Sequence, residues 1–96
     1  MTFEWNAGTA AANATKHGVT FEKASSVFLD PLAATYQDPD HSSDEFREIT
    51  IESTLKGQVV FVSHCQPRDR IRIISARPAT RAELEQYEEG TGIRKQ

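Results

Sequence analysis

The chain has 96 residues and a net charge of −3, with a pI near 5.5. That length is one domain, burying only about 60–65% of the surface its unfolded form exposes. The acidic total disfavours a nucleic-acid binder, since such domains are usually basic. The longest apolar run, Val59–Val62, falls far short of the roughly 18 residues of a membrane span. The N-terminus Met1–Trp5 lacks the basic and apolar regions of a signal peptide. A single cysteine, Cys65, cannot form an internal disulfide or a multi-cysteine zinc site. That fits a reducing cytoplasm; no cofactor and no metal are expected.

In chain order, Thr2–Trp5 reads as a short strand. Asn6 is a good helix N-cap, and Ala7, Ala10, Ala11 and Ala14 follow with the spacing of one helix face. Gly18 suits the left-handed position that closes that helix. Thr20 caps a second helix with Phe21, Ala24 and Phe28 on its buried side, stopped at Asp30-Pro31. Residues 33–37 form a short strand, and 38–44 a polar loop of turn formers. Three strands come next: Phe46–Ser53, with Ile49 and Ile51 on one face; Val59–Cys65, apolar enough to be central; and Asp69–Ala76, rich in Ile and Arg. Gly57 and Pro67 mark the turns between them. Thr80-Arg81-Ala82-Glu83 is a capping box opening a last helix to about Glu89, closed by Gly90. The expected architecture is an α+β domain over residues 1–90, an antiparallel sheet in the order βααββββα, with residues 91–96 a disordered tail.

The net charge conceals an uneven distribution. Residues 1–55 carry 9 acidic and 3 basic side chains, while residues 56–96 carry 5 acidic and 8 basic ones. Arg68, Arg70, Arg72, Arg77 and Arg81 fall within residues 68–81, with Asp69 the single acid before Arg81. Arginine's planar fork matches phosphate oxygens and stays charged. Strand alternation projects Arg70 and Arg72 to one side and Ile71 and Ile73 to the other. The arginines then either line a solvated concave face or pair with local acids on a solvated strand.

These residues resemble the BrnT family of toxins from bacterial type II toxin–antitoxin pairs. The resemblance spans residues 3–88. It is carried by Phe3-Glu4-Trp5, by Asn13–Ala24 with its Lys16-His17-Gly18 segment, by Val27–Pro31 and by Glu45-Phe46-Arg47. It continues through Val59–His64 and Ile71–Arg81 with its Ile74-Ser75-Ala76-Arg77 segment, then Glu83 and Tyr87. The resemblance implies a RelE-like fold and metal-independent endoribonuclease activity that inhibits translation and growth. It also implies a BrnA-like antitoxin that neutralises the toxin and alone carries the DNA-binding part. Two positions depart from the family pattern. Thr9 stands where a lysine is usual, and Glu52 where a glycine usually follows Ile51.

RNA cleavage without a metal needs a base for the ribose 2′-oxygen, cations for the phosphorane charge, and an acid for the leaving 5′-oxygen. Arg77 and Arg81 flank the helix N-terminus at Thr80, where a phosphate could sit with both. The alternative for Arg77 is a structural pair with Glu83. His64 is the candidate acid or base, or else a satisfied histidine at the core edge. Tyr87 either stacks a base and lends its hydroxyl or packs on the sheet. Arg47, Arg70, Arg72 and Lys16 are the candidate RNA-binding residues. Thr9, Asn13, Lys16 and His17 share one polar stripe of the first helix, open to solvent, antitoxin or RNA. His17 suits a helix C-terminus, Cys65 reads as an inert buried thiol, and the Asp38, Asp40, His41 and Asp44 group reads as a solvated turn rather than a metal site. The competing function is a catalytically inactive toxin-fold module that binds an antitoxin-like partner. An ordinary RNA-binding domain is disfavoured, because stacking aromatics are scarce.

Overall fold

In the computed structural model, which describes residues 2–30, 33–38, 47–53 and 57–91, local capping sets the helix ends. The Asn6 side chain accepts the Thr9 N–H at 2.9 Å and opens α1 (Ala7–His17). Gly18 closes it at φ 72°, its N–H bonded to the Ala14 carbonyl. Thr20 accepts the Lys23 N–H and opens α2 (Phe21–Ser25), which tightens into a 3-10 turn over Ser26–Leu29. Ser25 and Ser26 donate their hydroxyls back to the Glu22 and Lys23 carbonyls at 2.7 Å, competing with the helical ladder. The tighter pitch rotates Val27 into the core, fully buried, where helical spacing alone had suggested Phe28.

The strands are β1 (Thr2–Glu4), β2 (Ala34–Gln37), β3 (Arg47–Ser53), β4 (Val59–Cys65) and β5 (Arg70–Pro78), and α3 (Arg81–Thr91) ends the described chain. They form one sheet in the order β1-β5-β4-β3-β2. The sheet is mixed, not purely antiparallel as expected, because β1 pairs with β5 in parallel. A parallel pair needs a long crossover, here the whole chain between the two strands. The last helix also runs through Gly90 to Thr91 rather than stopping at Glu89. The 91–96 tail otherwise lies outside the described residues, as do Asp40, His41 and Asp44.

One face of the sheet is covered by α1, α2 and the 3-10 turn. Val19, Phe21, Ala24 and Val27 meet Val60, Val62, Ile73 and Ala76 there, with Phe3, Trp5, Ala10 and Phe28 around them. Phe3 packs on Phe28 with ring centroids 5.4 Å apart, and Trp5 on Phe21 at 5.8 Å. In β3 the more deeply buried residues are polar: Thr50 and Glu52 are buried, while Ile49 and Ile51 are only half-buried. A hydroxyl chain satisfies this layer, Thr35 Oγ1 to Thr50 Oγ1 at 2.7 Å and Thr50 Oγ1 to His64 Nε2 at 2.7 Å. Glu52, one of the two departures from the family pattern, lies 4% exposed opposite Val60 and accepts the Ser53 N–H. It is therefore part of the buried layer.

Asn13 does not belong to a solvated stripe. It is buried, and its amide forms a two-way pair with the backbone of Ala76. Oδ1 accepts the Ala76 N–H at 3.1 Å, and Nδ2 donates to the Ala76 carbonyl at 2.8 Å and to the Val19 carbonyl at 3.0 Å. β1 reaches only Arg70–Arg72 of β5, so this amide serves the β5 edge beyond the end of β1. The docking face of α1 is accordingly Ala10, Asn13, Ala14 and His17, while Ala7 and Ala11 are exposed. Asn13→Ala leaves up to three buried backbone groups unpaired and is expected to cost about 3 kcal/mol, read as a lower urea midpoint with an unchanged slope.

Candidate functional site

The sheet face away from α1 and α2 gathers the arginines, and an irregularity in β5 makes this happen. Arg72 and Arg77 are five residues apart, an odd number, so simple alternation would place them on opposite faces. Between Ser63 and His64 the β4–β5 register shifts: Ser63 opposes Ser75, but His64 opposes Ile73. Ile74 is thus an extra residue, a β-bulge, and it lines the same cleft as Ser75. The bulge restores Arg72 and Arg77 to one side. Arg77 lies opposite Phe61, and Arg72 opposite Cys65, which in turn faces Arg47 on β3.

A cleft of about 360 Å³ opens on this face, lined by Asp38, Arg47, Phe61, Ser63, Ser75 and Arg77 among others. The Arg77 guanidinium lies 4.6 Å from the centroid of the Phe61 ring, a cation–π contact. Its two terminal nitrogens grip Glu83 at 2.7 and 2.8 Å. Glu83 also accepts the Thr80 N–H at 2.9 Å, while Thr80 Oγ1 accepts the Glu83 N–H, completing the capping box. The Arg77 bonds hold the Glu83 carboxyl down to about 2, with help from Thr80. Glu83 in turn raises Arg77 above its ordinary value. Tyr36, on the neighbouring edge strand, is raised by burial and by the charges of Glu83 and Asp38, against the opposing pull of Arg77.

This geometry revises the expected site. Arg77 and Arg81 do not share an anion site at the start of α3: the fork of Arg77 is taken by Glu83, and the two arginines line different clefts. Arg81 is 94% exposed, 4.0 Å from Glu85, and lines a separate shallow cleft with Thr80 and Leu84. His64 is not at the rim. It is 4% exposed on the opposite face, among Val60 and Val62, with its ring edge-on to Phe28 at 4.9 Å. Burial lowers its pKa to about 4, so it is a neutral, hydrogen-bonded core-edge histidine there. Lys16 is exposed in the last turn of α1, on the helical side, as is Thr9, so the missing lysine subtracts nothing from the arginine face. Tyr87 belongs to α3, and its side chain lies outside the described residues. Arg47, Arg70 and Arg72 do share the arginine face; Arg70 and Arg72 pair with Glu4 at 3.8 and 2.8 Å. Sequence analysis does not single out Tyr36, which stands on β2 opposite Ile49 of the cleft and within electrostatic reach of Arg77 and Glu83. Its signal was the position of a hydroxyl aromatic in a short exposed strand, which acquires meaning only once Ile49 is known to be opposite it.

Among the described residues no group of His, Cys, Asp and Glu could hold a metal ion. A sequence profile of the family described as "Ribonuclease toxin, BrnT, of type II toxin-antitoxin system" matches residues 5–83. Among solved structures, the crystal structure of the Brucella abortus ribonuclease toxin BrnT superposes with a TM-score of 0.63 at 18% identity, covering 84% of this chain and 99% of that one. At that identity the likeness concerns the fold. No curated protein matches.

Two acid-sensitive steps follow from the shifted groups. His64 is near 4 folded against 6.5 unfolded, so the unfolded state binds more protons between these values and stability falls as pH drops through that window. Glu83 is near 2 against 4.5, so its contribution is present above 4.5 and is lost as pH falls toward 2. Urea titrations at successive pH values should show both losses. His64→Gln should flatten the upper one and Glu83→Gln the lower; an unchanged upper slope in His64→Gln would show that His64 does not titrate in this way.

Proposed function

Because the chain belongs to the BrnT family of ribonuclease toxins of type II toxin–antitoxin systems, we propose that it is a metal-independent endoribonuclease whose reaction takes place in the Arg47–Arg77 cleft. The observation that carries this reading is the bulged strand β5, which brings Arg77 onto the same face as Arg47 beside an aromatic ring. The substrate is RNA because the chemistry uses the ribose 2′-hydroxyl. Its oxygen attacks the adjacent phosphorus, the bond from phosphorus to the 5′-oxygen breaks, and the products carry a 2′,3′-cyclic phosphate and a 5′-hydroxyl. Arg77 and Arg47 hold the charge that builds on the phosphoryl oxygens. Tyr36, protonated at neutral pH, supplies the proton to the departing 5′-oxygen. Glu83, ionised at neutral pH, takes the proton from the 2′-hydroxyl.

The implied partner is an antitoxin of the BrnA kind, which would bring any DNA contact with it. The acidic first half of the chain, 9 acidic against 3 basic side chains over residues 1–55, suits a basic segment of such a partner. The reaction is placed in the bacterial cytoplasm, where both its RNA and its antitoxin would be found.

Expression of the chain alone in bacteria should stop growth and fragment RNA, and the purified protein should cut RNA in the presence of EDTA, leaving cyclic phosphate ends. Arg77→Ala should lower cleavage at least about a hundredfold, on the scale of removing one transition-state donor. Arg77→Lys, which keeps the charge but not the fork, should recover only part of it. Soluble wild-type protein that leaves RNA intact and growth normal would instead support the inactive interaction module.

A further inference from the structure

The arginine face extends beyond the cleft. At the other end of β5 a second cleft of about 400 Å³ is lined by Glu4, Pro67, Arg68, Asp69, Arg70 and Arg72. Three arginines and two acids line it, so its formal charge is positive. Arg70 and Arg72 remain 59% and 48% exposed even while paired to Glu4. The carboxylate of Glu4 approaches both and draws them toward one place. Glu4 is able to do so because β1 runs parallel to β5 with Glu4 in register with Arg72.

The two clefts lie on a common line. Arg47, Cys65 and Arg72 form one row across β3, β4 and β5, and Arg72 belongs to the second cleft while Arg47 belongs to the first. Arg70 and Arg72 are two residues apart, about 6.8 Å along the strand, close to the distance between successive phosphates of a single strand. Arg77 lies about 13–14 Å further along, because the bulge lets five residues of β5 cover the four-residue step from Cys65 to Phe61, room for one intervening nucleotide. The aromatic ring on this line, Phe61, lies at the Arg77 end, so contact at the Arg68–Arg72 end would be made through phosphate and not through stacked bases.

We propose that the Arg68–Arg70–Arg72 cleft is a second phosphate-binding subsite, which holds the backbone of single-stranded RNA flanking the nucleotide in the Arg47–Arg77 cleft. It rests on the ribonuclease reading and deepens it: the substrate is an extended single strand several nucleotides long, gripped at two points and not as an isolated dinucleotide. Paired RNA fits this line less well, because a duplex curves its backbone away from a strand-like row of cations.

The test uses the full chain and 2′-O-methyl oligouridines, whose blocked 2′-oxygen cannot attack, as a trinucleotide and an octanucleotide. Fluorescence anisotropy should show the octamer binding about tenfold tighter or better. In the double variant Arg70→Ala/Arg72→Ala the octamer should fall to the level of the trinucleotide. Its log–log salt slope should shrink by about 1.4, two phosphates at roughly 0.7 each for a single strand. Arg70→Lys/Arg72→Lys, which keeps both charges, should retain the length preference and guards against loss of the β1–β5 pairing as the explanation. Equal affinity for both lengths in the wild type, or an octamer indifferent to the alanine pair, overturns the subsite while leaving the ribonuclease reading intact. No binding of either length overturns both, and tight binding of an acidic polyglutamate peptide lost in the alanine pair, with RNA unaffected, would assign the cleft to a protein partner.

Discussion

The amide of Asn13 against the backbone of Ala76 is the constraint on which the rest of the molecule depends. β1 is only three residues long and leaves the β5 edge beyond Arg72 without a neighbouring strand. A buried strand edge with open N–H and C=O groups is costly. A primary amide offers one donor face and one acceptor face in a single plane, as a peptide group does, so one side chain replaces one residue of a missing strand. The same amide reaches the Val19 carbonyl just beyond α1. Three elements are therefore located by one functional group: α1, the start of the α2 segment, and the far half of β5.

Ala76 stands just after the bulge and just before Arg77. A bulge adds a residue to one strand, and its position must be held if the faces are not to slip. Ala76 is pinned on its core side by packing and on its edge by Asn13, which fixes the phase of the strand beyond Ile74. Arg77 is thereby committed to the face that carries Arg47 and Arg72. The charge arrangement of the candidate site is, in this sense, a consequence of a core hydrogen bond on the other side of the sheet.

What was legible in the sequence follows the range of the interactions. Asn6, Gly18, Thr20 and the Thr80–Glu83 box act within a few residues and were readable as caps. The alternation that sends Arg70 and Arg72 one way and Ile73 the other was readable for the same reason. The α+β class and the central position of β4 also follow from patterning. Asn13 reads in the sequence as part of a polar stripe open to solvent, antitoxin or RNA, because its partner is a strand edge 63 residues away. The direction of β1 and the bulge at Ile74 depend on pairing across the sheet, which local pattern does not encode. For His64 the alternation gave the face, and of its two readings the structure matches the satisfied core-edge histidine, bonded to Thr50 and against the Phe28 ring. For Arg77 both alternatives were visible, and the structure joins them: it lines the cleft and it pairs with Glu83.

That joining bears on how an anion reaches the site. Glu83 receives two bonds from Arg77 and one from the first turn of α3, so the position is already shown to hold a negatively charged oxygen pair. The pair is partly exposed, with side chains 39% and 27% accessible, so solvent screens it, although its two parallel bonds are the geometry in which such pairs count most. In the proposed reaction a phosphate, bringing more negative charge and more acceptor oxygens, would compete for the same fork. The capping bond from the Thr80 N–H does not depend on Arg77 and would keep Glu83 in place if the guanidinium turned to a phosphate. The carboxylate would then be released from one cation without leaving the site, which would relieve the interaction that holds it near 2 and raise its affinity for a proton. In the proposed reaction, phosphate binding and the base strength of Glu83 would thus be coupled through a single guanidinium.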